Sequence, residues 1–330
     1  MTQPVLEEPV VDAQDSEGGR ALIERIKLLS ALAVAAVVFW YVGWWAAAPI
    51  DPDGPVSLLM VDQGVVTMAE LLGLAVVVSS LAVAICGAGS AERGPLAVAV
   101  GLAAMALRGG EMDRLVLFRL TATDARPTAL DAYPVWSLIA ETWLWLALIG
   151  AGLVVGRWVE GWFEQGREDS TGLQSVGGRL ERRGGGAPGS DIRQAIGSIA
   201  VSFFIAWGLL TFTTGSEALP VLKGQIYFAL IVSFLIAALI AHGFFQSAAR
   251  VWLLIAIAFV AMVAYAYGRP DDATLETARR LGTYVTLRPI ARPLPIEFAA
   301  LGAIGVLFEA DAMAFLYAMF GLRPDHRSGA

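Results

Sequence analysis

Residues 226–245 read IYFALIVSFLIAALIAHGFF. One ionisable side chain, His242, stands in this run, and no proline interrupts it. At about 1.5 Å of rise per residue, a helix of this length covers roughly the 30 Å of a bilayer's hydrocarbon core. The run has no polar face to turn toward water. It therefore predicts a helix that spans a membrane.

The rest of the chain repeats the pattern. Apolar runs at 28–48, 65–87, 134–155, 195–214, 251–267 and 296–320 predict further spans. An eighth begins near Pro95, but its clean apolar stretch ends at Leu107 and it needs its charged continuation to cross. Lipid offers the backbone no hydrogen bonds, so helices are the spans that runs of this length can form. A barrel would show alternating segments of about ten residues, and none appear. The fold class that follows is an all-α, polytopic transmembrane bundle of about eight spans. Composition agrees: 57% of residues are hydrophobic and 16% charged, against roughly 25% charged in soluble domains, and mean hydropathy is +0.64.

The formal net charge of −7 does not mark an acidic binding surface. Glu7, Glu8, Asp12, Asp15 and Glu17 crowd residues 1–20, which read as a disordered acidic tail. Arginine far outnumbers lysine, which is represented by Lys27 and Lys223 alone. Together with abundant Ala, Gly and Val, this suggests a bacterial source and an inner membrane. The first apolar run is longer than a signal-peptide core and is followed by Pro49, so it reads as a retained anchor. Cys86 is the only cysteine and reads as a buried, inert thiol.

Arg20, Arg25 and Lys27 precede the first span, and the loop after it carries Asp51, Asp53 and Asp62 with no basic residue. By the positive-inside rule both termini are expected in the cytoplasm. The arginines of the loop between the seventh and eighth spans (Arg269, Arg279, Arg280, Arg288, Arg292) run against this orientation, as do Arg114, Arg119 and Arg126. Trp158 and Trp162 predict a short interfacial helix over 157–165, followed by a glycine-rich linker through 193. The expected organisation is a tail (1–20), a first four-helix half (21–156), an interfacial helix and linker (157–194), a second half (195–321) and a cytoplasmic tail (322–330). The two halves share a rhythm of loop lengths that suggests two parallel repeats, although their residues are poorly alike. Within the last long loop, Asp271 and Asp272 can cap a helix through Arg280, and Gly282 can end it.

Ionisable residues inside spans are costly and usually face the bundle interior. Glu309 and Asp311 in the eighth span are the leading candidates. Glu309 shares a face with Gly302, Gly305 and Ala312, small residues that admit a neighbouring helix, so it should point inward. Asp311 shares a face with Leu307, Phe308 and Phe315, which looks like packing or lipid. The two acids do not face each other on a regular helix. A second candidate is an outer charge cluster: Glu70, Arg108, Glu111, Asp113, Arg114 and Glu141, with Arg108, Glu111 and Arg114 spaced to pair along one helix face. His242 reads as a packing residue. Gly152 and Gly156 suggest close helix contact. Asp51-Pro52-Asp53-Gly54 lacks the ligand spacing of a calcium loop and reads as a turn.

The sequence contains no HExxH, GxSxG or P-loop pattern. No cofactor or metal is expected, and no groove of arginines interleaved with aromatics points to nucleic acid. The expected partners are the lipid bilayer and, for one reading, a protein at the extracytoplasmic loops. The function expected first is permease-like or proton- or ion-coupled transport through Glu309, with Asp311 as an accessory. The alternative is a non-catalytic scaffold or assembly factor. An intramembrane enzyme that holds a lipid-linked phosphate at Arg108–Arg114 comes third.

Overall fold

The apolar runs become helices, and in the described part of the chain there is no strand. The structure is a computed structural model that describes residues 12–49, 54–58, 61, 64–87, 89–121, 133–171, 188–214, 222–245, 250–285 and 287–320. The helices are α1 (Asp12–Val38), which continues through a π-helical turn at Phe39–Gly43 into α2 (Trp44–Ala47), then α3 (Gly64–Cys86), α4 (Arg93–Arg108), α5 (Met112–Thr121) and α6 (Val135–Thr171). After these come α7 (Pro188–Thr214), α8 (Lys223–Phe244), α9 (Arg250–Tyr267), α10 (Asp272–Leu281), α11 (Pro295–Leu307) and α12 (Glu309–Phe320).

Among the described residues, seven segments are long and apolar enough to cross a membrane, with Pro295–Leu316 taking in both α11 and the start of α12. The eighth is broken. Gly109 has an extended backbone (ψ 169°) at the end of α4, and α5 departs at 56° to α4. The charged continuation of this run therefore turns aside rather than completing a straight span. Large apolar side chains such as Trp136, Phe204, Phe212 and Phe228 stay exposed around the bundle. That surface is a liability in water and suits a membrane protein.

Several expected boundaries move. The first helix already begins at Asp12, inside the segment expected to be a disordered tail, and residues 1–11 lie outside the described part. Residues 157–165 do not form a separate interfacial helix: they continue α6 to Thr171, because no proline breaks the ladder after Val155. Trp158 and Trp162 lie side by side along it, 4.2 Å between ring centroids and tilted by 47°. Helix also covers 166–171 and 188–193 of the expected linker, and 172–187 lie outside the described residues, as do 51–53 and 321–330. Cys86 is half-buried rather than buried.

Every residue of α11 is buried, and this helix packs on α4, α6, α8 and α9. The two groups of four helices thus interlock around it. Their neighbour relations differ in one respect: α3 packs on α4, whereas α8 and α9 are not a principal pair. Glycines set the closest approaches. A Cβ at Gly305 would stand 2.5 Å from the Ile231 carbonyl oxygen of α8. One at Gly156 would stand 2.4 Å from the Ala91 carbonyl oxygen, and Gly152 lies against Pro95 and Val98, so both glycines of α6 make the tight contact their spacing suggests.

The loop helix α10 follows its sequence signals. Asp271 Oδ1 accepts from the Thr274 N–H at 3.0 Å, and Gly282 (φ 62°) takes the left-handed conformation while the Thr283 N–H donates to the Ala278 carbonyl at 3.0 Å. Leu275 and Ala278 are buried, α10 packs on α5, and Leu281 faces out.

Candidate functional site

The helix α11 carries a buried carboxylate at its first turn, Glu297, and another just past its end, Glu309; each is 2% exposed. The segment between them, Phe298–Phe308, is apolar and closely packed, so polar chemistry gathers at the two ends of the bundle.

At the Glu309 end the helix ladder slips at Phe308 (ψ −7°) before α12 begins. Glu309 is thereby the first residue of α12, where the free N–H groups of a helix start favour a carboxylate. His242, in the last turn of α8, places Nδ1 3.4 Å from Glu309 Oε1. Arg250, the first residue of α9, places Nε 3.7 Å from Glu309 Oε2. Arg250 also pairs with Glu92, just before α4. Next to this group, Arg93 donates to both oxygens of Asp311, from Nη1 at 2.6 Å and from Nη2 at 3.0 Å.

These contacts have a common cause. Arg93 and Arg250 each begin a helix, where the macrodipole disfavours a cation, and each is paired with acids. Exposure falls from Glu92 (58%) through Arg250 (25%) to Glu309 (2%). His242 is 41% exposed and touches the same carboxylate. Glu309 Oε2 has no hydrogen-bond partner among the described residues. A buried carboxylate normally fills its acceptor sites; this one is held by charge, with the Arg250 guanidinium nearest to that oxygen.

Glu309 therefore points inward as its face predicts. Asp311 does not occupy a lipid face: both of its carboxylate oxygens accept from Arg93. His242 is not a simple packing residue, since it meets Glu309. Arg93, Glu92 and Arg250 had no signal in the sequence beyond lying at helix starts.

At the Glu297 end, Glu297 Oε2 accepts from the Leu294 N–H at 2.9 Å, and Oε1 accepts from the Tyr227 hydroxyl at 3.2 Å and lies 3.6 Å from Lys223 Nζ. Lys223 Nζ donates to the carbonyls of Ala106 and Gly109, each at 2.7 Å. The ammonium thus serves two carbonyls at the end of α4, of which that of Ala106 also accepts from the Gly109 N–H at 3.2 Å. Beside it the α4–α5 break opens a cleft of about 510 Å³, whose walls include Arg108, Glu111, Asp113, Arg114, Lys223 and Tyr284.

The expected outer cluster divides. Arg108, Glu111, Asp113 and Arg114 share the cleft, but they do not lie along one helix face, because the helix breaks between Arg108 and Met112. Arg108 instead donates to the Trp40 carbonyl at 2.9 Å and lies over the Trp44 ring, 4.6 Å from its centroid. Glu70 is exposed on α3 and is not part of the cleft wall. Glu141 is buried elsewhere, accepting from Ser57 Oγ at 2.8 Å, the Leu58 N–H at 2.8 Å and Trp145 Nε1 at 3.0 Å. Its effect on the cleft is indirect. It ties the 54–58 segment to α6; Gly54 in turn accepts from the Gly110 N–H at 2.9 Å, and Val56 lies where a Cβ on Gly109 would be. Glu297 and Lys223 were missed by the sequence reading. Lys223, as one of two lysines in the chain, was the available signal.

No family model matches the chain, and neither a curated protein nor a solved structure matches it.

Proposed function

We propose that this chain is a permease-like membrane protein that couples movement of a solute to a proton or cation, with Glu309 as the exchanging carboxylate. The observation that carries the reading is the state of Glu309: buried, flanked by His242 and Arg250, and with one oxygen free of hydrogen bonds. His242 is 41% exposed and touches Glu309, which gives the buried carboxylate a polar link to the surface of the bundle. Asp311, held by Arg93, fixes the start of α12 and acts as an accessory. The closely packed middle of α11 separates the two polar ends, as alternating access requires of a closed state. The arginine-rich composition and the basic residues before the first span support a bacterial inner membrane with both termini cytoplasmic.

Thermal unfolding in detergent tests this without a known solute. Functional charges commonly cost stability. Glu309→Gln should melt at or above the wild type. A loss of several degrees, which corresponds to roughly 1–2 kcal/mol or more, would make Glu309 structural.

A second reading, a scaffold that holds a protein partner, is favoured by Leu281 and Tyr284, which are 68% and 59% exposed on a loop outside the spans. Deletion of 271–282 should then release a co-purifying protein. Retention of every such protein counts against it.

A further inference from the structure

The glycine contacts divide the bundle into two bodies. Among the described residues, every glycine whose Cβ would fall closer than 3.0 Å to another group meets its own half. Gly94 lies against Ser79, Gly101 against Phe39 and Gly156 against Ala91, all in the first half. Gly197 lies against Phe245, and Gly305 against Ile231 and Leu235, all in the second. Packing this close resists sliding, so each half is stiff. Where the halves meet, α4 and α6 face α9 and α11 without such a glycine contact among the described residues. Helices that meet through side chains can slide and rotate by small amounts.

Polar ties join the halves at both ends of this interface. At the Glu309 end, Arg93 of the first half holds Asp311 of the second, and Arg250 of the second holds Glu92 of the first. At the Glu297 end, Lys223 holds the Ala106 and Gly109 carbonyls, and the Arg292 charge acts on Asp113. The two ends differ in their access to water. The four side chains at the Glu309 end are between 25% and 58% exposed, so water can replace each partner as the pairs separate. Lys223 is 19% exposed and faces a carboxylate that is 2% exposed. Separation there would leave a buried charge uncompensated. The Glu309 end is therefore the one that opens at lower cost.

We infer that the two halves rock against each other as rigid bodies, and that the Arg93–Asp311 and Glu92–Arg250 pairs latch a gate that shields Glu309. Opening parts α4 from the junction of α11 and α12 and brings Glu309 to water, while the Lys223 tie holds the far end closed. The gate's purpose rests on the proposed function, because it controls access to the exchanging carboxylate. The motion itself is measured without any flux.

Distances between nitroxide labels, read by pulsed electron paramagnetic resonance on the full chain in nanodiscs, test it. In a Cys86→Ser background, Ile26→Cys on α1 with Phe244→Cys on α8 spans the Glu309 end. Val65→Cys on α3 with Phe212→Cys on α7 spans the Glu297 end, and all four positions are exposed. Asp311→Asn should move the first distance outward by about 5 Å or more, the scale of one helical turn, and the second by less than about 2 Å. Glu92→Gln, at an exposed position, should move the first distance in the same direction and decides the matter if Asp311→Asn fails to fold. A first distance equal to that of the parent chain in every folded variant overturns the inference. An equal shift of both distances also overturns it, since the pairs would then brace the whole fold. Neither result bears on whether Glu309→Gln stops proton movement, so the gate and the exchange site stand or fall separately.

Discussion

Lys223 Nζ stands 3.6 Å from Glu297 Oε1 while it also caps the carbonyl end of α4. One ammonium thereby joins three elements: α8, which carries it, α4, whose end it closes, and α11, whose first turn holds the acid. Removing one partner of a buried pair leaves the other charge uncompensated, which costs on the order of 3–5 kcal/mol. Lys223→Met should therefore destabilise the protein by about that much, measured as denaturant or thermal unfolding in detergent. Adding Glu297→Gln to it should recover part of the loss. A double variant no more stable than Lys223→Met would show that the pair is not coupled.

Glu141 is the acceptor for three donors and has no access to water. Glu141→Ala strands the Leu58 N–H and the Trp145 indole, and the loss should be about 2–3 kcal/mol or more. Because the 54–58 segment then loses its anchor, amide exchange at Gly110 should rise as well. Protection at Gly110 equal to wild type would show that the segment does not need Glu141.

Gly305 and Gly208 offer a matched contrast. A Cβ at Gly305 meets backbone of α8, whereas one at Gly208 on α7 meets nothing within 4 Å. Gly305→Ala should cost about 1–3 kcal/mol through overpacking. Gly208→Ala should be neutral or stabilise by about 0.5–1 kcal/mol, as expected for a helix interior. Equal melting of the two variants would contradict the close approach of α11 and α8.

On α10, outside the spans, Arg279 and Arg280 donate to Glu276 and hold its carboxyl down to about 2. A lowered carboxylate stabilises above its ordinary value, about 4.3, and that support is lost as pH falls through the lowered value. The ion pairs should thus persist at pH 4 and disappear toward about pH 2. A carbon-13 titration of the Glu276 carboxyl reads this directly. A midpoint near the ordinary value would mean the pairs do not form.

The spans were legible because a bilayer demands about twenty apolar residues in a row, and that demand is local in sequence. The caps of α10 were legible for a similar reason, since Asp271 and Gly282 act within one turn. The inward aim of Glu309 followed from Gly302 and Gly305 on its own face. Its partners did not: His242, Arg250 and Glu92 come from other elements, and no spacing rule links them. Asp311 was misplaced because its partner, Arg93, comes from another helix. The weakness of the span that begins near Pro95 was visible where its clean apolar stretch ends at Leu107, but the direction α5 takes depends on Val56 and Gly54 in a distant loop. Glu297 was overlooked because an acid in a first turn after proline looks like ordinary capping, and it does cap, as well as pairing with Lys223.

The central claim is that Glu309 exchanges a proton during transport. Wild type, Glu309→Gln and Glu141→Gln would be placed in liposomes under an imposed pH gradient, and internal pH followed by a trapped dye. Wild type should collapse the gradient faster than protein-free liposomes. Glu309→Gln should fall to the protein-free rate, while Glu141→Gln keeps the wild-type rate per folded molecule. Glu309→Gln running like wild type, or wild type running like empty liposomes throughout, would contradict the account.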